Sequence, residues 1–118
     1  MKKQIKVTTI TPEDNIKFEV DALYDARKHE ITYVEKDEQK TIVRFSYDTL
    51  ELSRSNKDYE IKYKFEEGNS TKGAIKVRTL PTEVITNIRT KKVEIKDLDI
   101  EIEFTTEDHW VTYRLEVK

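Results

Sequence analysis

Apolar side chains return at every second position along most of this chain. Over residues 15–25, Ile16, Phe18, Val20, Ala22 and Tyr24 alternate with Lys17, Glu19 and Asp21. Successive side chains of an extended chain point to opposite faces, so this spacing predicts a β-strand with one apolar face. The same alternation predicts strands at 4–10 (Ile5, Val7), 29–35, 40–47 (Val43, Phe45), around Leu50 and Leu52, and at 59–65. It then predicts 74–80, one or two irregular strands in 83–95, a strand carrying Ile100, Ile102 and Phe104, and a last one at 110–117. Turns are expected at 25–28, 37–39, Asp48, 55–58 and 97–99, with a loop, EEGNSTKG, over 66–73. Pro81 ends a strand, and Pro81-Thr82-Glu83 has the make-up of a short helical turn.

One segment carries two signals. Thr11-Pro12-Glu13-Asp14 reads as a helix start, with a capping threonine, proline at the first helical position and acids behind it. A helix over the following residues would put Phe18 on the wrong side. A strand puts five apolar residues on one face, so the strand reading is preferred and 11–14 becomes the turn before it.

Three stretches share a local grammar: ITYVEK at 31–36, IKYKFE at 61–66 and VTYRLE at 111–116. The two later ones keep one face apolar, through Ile61, Tyr63 and Phe65, and through Val111, Tyr113 and Leu115. In the first, Glu35 falls on the face of Ile31 and Tyr33. Short strands in close succession imply an antiparallel meander of about eight to ten strands, closed as a barrel or folded as a sandwich.

Composition agrees with strands and narrows the partners. The 118 residues suit one domain, 1–118, with a modest core. Apolar residues make up 36% and charged residues 39%, so the surface must be heavily charged. Net charge is only −2, which argues against a nucleic-acid binder, whose affinity rests on basic contacts to phosphate. With no cysteine there is no disulfide, thiolate chemistry or cysteine-based zinc site. No signal-peptide pattern and no run approaching a membrane helix is visible, so a soluble, cytoplasmic protein without a membrane partner is expected.

The block LYDARKHEITYVEKDEQKTIVRFSYDTLELSR, residues 23–54, resembles the YwiB-like family of small bacterial proteins. The features that carry this are Tyr33-x-Glu35, a polar turn, the KTIVRF strand at 40–45, and Arg54 ending the next strand. Downstream, Phe65-x-x-Gly68, then Gly73 before a strand ending Val77-Arg78-Thr79, and the Ile-x-Ile-x-aromatic run at 100–104 also fit. Phe104 stands where a tyrosine is usual, and Ser55-Asn56 where a glycine is usual. The resemblance implies an all-β fold, an antiparallel meander closed into a lipocalin-like (calycin) barrel, and brings no established chemistry with it.

Candidate site residues follow from both readings. Tyr33, Glu35 and Arg54 could meet inside the barrel or at one mouth, where an arginine and a carboxylate would orient an anionic or polar group; the competing reading is a structural ion pair or two unrelated surface charges. Phe18, Tyr63 and Phe104 are the rings expected beside them. The expected ligand is small and apolar or amphipathic, and a structure with no cavity of about 300 Å³ or more would sink ordinary ligand binding. The competing expectation is a filled barrel serving as a structural or protein-interaction module. An enzyme is disfavoured, because no convergent set of titratable groups is visible. His29 and His109 are not paired by spacing, and two isolated glycines make no phosphate loop, so no metal, cofactor or catalytic residue is assigned. Arg44, Lys62 and Lys64 are expected on the solvated outer face, as are Asp97, Asp99, Glu101 and Glu103, read as an acidic edge that resists sheet-to-sheet pairing.

Overall fold

The computed structural model describes residues 1–35, 38–46, 49–106 and 109–118. Ten strands run in chain order: β1 (Lys2–Ile10), β2 (Asn15–Asp25), β3 (Glu30–Val34), β4 (Lys40–Phe45), β5 (Thr49–Ser55), β6 (Tyr59–Glu66), β7 (Ser70–Val77), β8 (Glu83–Lys96), β9 (Asp99–Thr105) and β10 (Trp110–Val117). Each pairs antiparallel with the next, and β1 pairs with β10, so the sheet closes into a barrel. The alternatives left open by periodicity are thereby settled: the chain is an all-β barrel, with no helix among the described residues and therefore none long and apolar enough to cross a membrane.

Alternation decides which side chains enter the barrel. Ile5 and Val7, Ile31 and Tyr33, Val43 and Phe45, Leu50 and Leu52, Ile100 and Ile102, and Tyr113 and Leu115 are all buried. Their polar neighbours face water and form ion pairs, Arg44 with Glu30 across β3 and β4, and Lys62 with Glu60 and Lys64 with Glu66 along β6. The strand reading of 15–25 is correct, and the threonine caps a tight turn instead of a helix: the Asp14 N–H donates to Thr11 Oγ1 at 3.0 Å.

Several boundaries differ from expectation. The 66–73 loop is only a tight turn, because Gly68 takes φ 78° and β7 already begins at Ser70. β7 ends at Val77, and 78–82 is turn and bend with no helical turn at Pro81. Residues 83–95 belong to one long strand, irregular because a bulge between Thr90 and Lys92 inserts an extra residue. The strand expected at 40–47 ends at Phe45; Tyr47, Asp48 and Asp37 lie outside the described residues. With few glycines available, His29, Glu38 and Asp97 take the left-handed conformation at φ 52°, 59° and 57°. The acidic edge is also corrected: β9 lies between β8 and β10 and has no free edge.

Strand direction divides the barrel into two ends. The turns after β1, β3, β5, β7 and β9 gather at one end, and those after the even-numbered strands at the other. Towards the second end Ile5, Val7, Ile31, Val43, Leu50, Phe65, Ile100 and Leu115 fill the interior, each 2% exposed or less. Towards the first end the filling thins. Ile16 and Val84, on the inward face by register, remain 52% and 58% exposed.

Candidate functional site

Backbone register lines up one rung of inward side chains. Ala22 pairs with Tyr33, Tyr33 with Thr41, Thr41 with Arg54, and Arg54 with Ile61. Arg54 is inward for the same reason that Leu50 and Leu52 are, since all three share one parity on β5. A long cationic side chain is thus carried into the lumen by strand alternation alone.

Arg54 reaches across the barrel. β5 and β10 are five strands apart in either direction around the ring, yet the guanidinium carbon lies 5.8 Å from the centre of the Tyr113 ring on β10. That is within cation–π range. Tyr113 and Tyr33 are joined through their hydroxyls at 2.7 Å, one donating to the other. Phe18 packs on Tyr33 with ring centroids 6.1 Å apart. The result is a buried polar cluster, Tyr33–Tyr113–Arg54, lying over the packed half.

Arg54 is compensated by the two phenols and not by a direct ion pair. Among the described residues no carboxylate lies within 4.0 Å of it. Its Nε is buried without a hydrogen-bond partner, as is the Oγ1 of neighbouring Thr41. Burial works against its charge, but Tyr33, Tyr113 and the longer-range field of Glu35 outweigh that, holding the guanidinium above its ordinary pKa. Burial, followed by the closeness of Tyr33 and its hydrogen bond, pushes the Tyr113 phenol well above its ordinary value, while Arg54 pulls the other way.

Beside Arg54 the interior holds a cavity of about 180 Å³, lined by Thr9, Leu52, Arg54, Ile61, Tyr63, Phe65, Ile102, Phe104, Val111 and Tyr113. Its wall is aromatic. Tyr63 meets Phe65 edge-on at 6.2 Å and Phe104 at 6.5 Å, and Phe65 lies 4.6 Å from Phe104. Of the expected site residues, Arg54, Tyr63 and Phe104 line the cavity. Tyr33 and Phe18 stand behind it. Glu35 is inward and half-buried, but it lies beyond the end of β3, where Gln39 Nε2 donates to its Oε1 at 3.3 Å. Glu35 and Arg54 therefore share a face and a field without forming the expected direct pair.

Tyr113, one of the large rings that the sequence offers to line or plug a pocket, was not among the expected site residues. Its signal was present, since the tyrosines of ITYVEK, IKYKFE and VTYRLE all turn inward. Their convergence depends on barrel closure, which no single strand displays. The histidines take no part: His29 packs against Phe45 at 5.8 Å and His109 is exposed. Among the described residues no group of His, Cys, Asp or Glu could hold a metal ion. The acids of β9 are matched across strands, Glu101 by Lys92 and Arg114, and Glu103 by Lys91 at 4.0 Å. Hydrogen bonds from Lys92 and Arg114 hold the Glu101 carboxyl below its ordinary range.

No protein-family model and no curated protein matches this chain. Among solved structures it is similar to the crystal structure of the ywiB protein from Bacillus subtilis, with a TM-score of 0.74 over 99% of this chain and 93% of that one. At 19% identity the likeness is one of fold, and at that level it agrees with the resemblance read from residues 23–54: the chain has the closed β-barrel seen in YwiB.

Proposed function

We propose that this is a YwiB-like, lipocalin-like binding barrel that holds a small amphipathic anion in its open half. Arg54 receives the charged group and the aromatic wall receives the apolar body. The observation that carries this reading is a buried guanidinium, without a carboxylate partner among the described residues, lining an apolar cavity. A buried charge is costly unless paired, and an arginine fork matches a carboxylate in two parallel hydrogen bonds. At about 180 Å³ the cavity falls below the range for drug-sized ligands. It is close to the engineered cavity of about 150 Å³ that takes up benzene. The ligand is therefore a molecule of roughly that size carrying one negative charge. The heavily charged outer face suits a barrel in water, and the proposal places it in the cytoplasm.

Titration of the protein with benzoate and hexanoate, followed by amide chemical shifts, tests this. Shifts at Arg54, Phe104 and Tyr113 that saturate with either acid, and vanish in Arg54→Gln, are expected. The reading fails if neither acid shifts these signals, or if Arg54→Gln binds as well as the parent.

A protein-interaction role is the second reading, favoured by the apolar side chains left exposed at the open end: Ile16, Leu80, Val84, Ile85 and Trp110. A stable partner recovered by the native protein and lost in the Val84→Ser/Ile85→Ser double variant would support it. A partner retained by that variant would count against it.

A further inference from the structure

Resting on the anion-binding reading, we infer that the ligand is a planar, one-ring aromatic carboxylate, and that Tyr63, seated on Gly73, sets the size of the cavity. Gly73 lies one step beyond the Lys62–Ala74 pair of the β6–β7 ladder, with its inward face against the Tyr63 ring. A Cβ at Gly73 would sit 2.5 Å from Tyr63 Cδ1, 2.8 Å from Cε1, and 2.9 Å from Ile88 Cδ1. Real side chains do not show such distances, so a side chain at 73 must displace Tyr63 and Ile88; on this inference the Tyr63 ring moves into the cavity that it lines. The glycine lets the ring lie back against β7 and leaves the lumen free beside it.

The space kept free has an aromatic character. Tyr63, Phe65, Phe104 and Tyr113 wall it, and the first three already meet one another at tilted or edge-on angles. Aromatic pairs favour such offset and edge-to-face contacts, so a flat ring adds to this arrangement where a flexible chain does not. A flat guest also loses little conformational freedom on entry. Arg54, stacked on Tyr113 and lining the same space, is placed to hold a carboxylate on that ring.

The test compares four acids on the full chain by calorimetry: benzoate, cyclohexanecarboxylate, hexanoate and 2-naphthoate. Benzoate is expected to bind tightest, with cyclohexanecarboxylate and hexanoate weaker by roughly 10-fold or more, and 2-naphthoate excluded. Gly73→Ala should abolish benzoate binding. Should that variant not fold, Tyr63→Leu decides the matter by weakening benzoate and admitting 2-naphthoate. The inference is overturned if hexanoate or cyclohexanecarboxylate matches benzoate, or if Tyr63→Leu leaves the ranking unchanged. In either case the anion-binding reading survives. If none of the four acids binds, both fall together.

Discussion

Arg54 carries a permanent charge into a region where protein has replaced most of the water. Tyr33, Tyr113 and the field of Glu35 hold that charge, but a buried charge held in this way is weak evidence of a stabilising role. If Arg54 is kept for binding, Arg54→Met should fold with unchanged or greater stability, by up to about 2 kcal/mol, while losing the anion. A loss of about 3 kcal/mol in chemical denaturation would instead make the residue structural. Tyr113 provides a second handle. Its ionisation in the folded state is raised above the unfolded value of 10.0. Its contribution is therefore fully present below pH 10.0 and is lost as pH rises towards the folded value. Stability should fall steeply above pH 10 in the parent and less steeply in Tyr113→Phe, as followed by tyrosine absorbance and ellipticity together. Equal alkaline limbs in the two proteins would show that Tyr113 is not the group responsible. Arg54's inward position was legible in the sequence, from its parity with Leu50 and Leu52. Its stacking on Tyr113 was not, because four strands lie between the two in either direction around the barrel.

At the scale of the strand, alternation is informative until one residue is added. On β8, Ile88 and Thr90 face inward at even positions, whereas Val93 and Ile95 do so at odd ones. The register passes from Thr90↔Phe104 to Lys92↔Glu103, leaving Lys91 as the extra residue. This is why 83–95 looked irregular in sequence: the apolar period was intact on each side and shifted at the bulge. Removing Lys91 should leave every inward side chain facing inward and cost only the local bend. Removing Glu101 from unbulged β9 should turn half of that strand inside out and prevent folding, because a one-residue slip moves every side chain to the opposite face. Circular dichroism and thermal melts of the two deletions decide between these outcomes, and equal damage from both would contradict the assignment of the bulge. The turns were harder to read than the strands. His29, Glu38 and Asp97 occupy the left-handed region without the glycine that usually announces it.

Across the whole molecule, packing is uneven by design of the sequence. Large aliphatic residues fill one half, and rings, a cation and a small cavity occupy the other. The strand content and the inward faces were legible, because both rest on a period of two. The site was legible only in part. Arg54, Tyr63 and Phe104 line the cavity as the rings and charge suggested, but Glu35, the residue that first stands out in ITYVEK, belongs to a strand end at the mouth. Which tyrosine meets which arginine is a property of closure. Closure also protects the sheet: with β1 and β10 joined, no strand among the described residues is left as a free edge to recruit another chain. A chain truncated at residue 109 should therefore expose the flanks of β1 and β9 and aggregate, as seen by light scattering. A monomeric, soluble truncation would contradict this.

Closure also imposes an order in time. In the finished barrel Val7 faces Leu115 across the last seam. On the ribosome, at about 5–20 residues per second, the earlier residue waits roughly 5–20 s for the later one to be made. Throughout that interval β1 can use only one of its two flanks, on β2, and the lumen is a half-pipe open along its length. Neither the tyrosine pair nor the stack of Arg54 on Tyr113 can form until the final strand emerges. The cavity therefore cannot exist before β10 has been made, and an occupant can enter it only after that point.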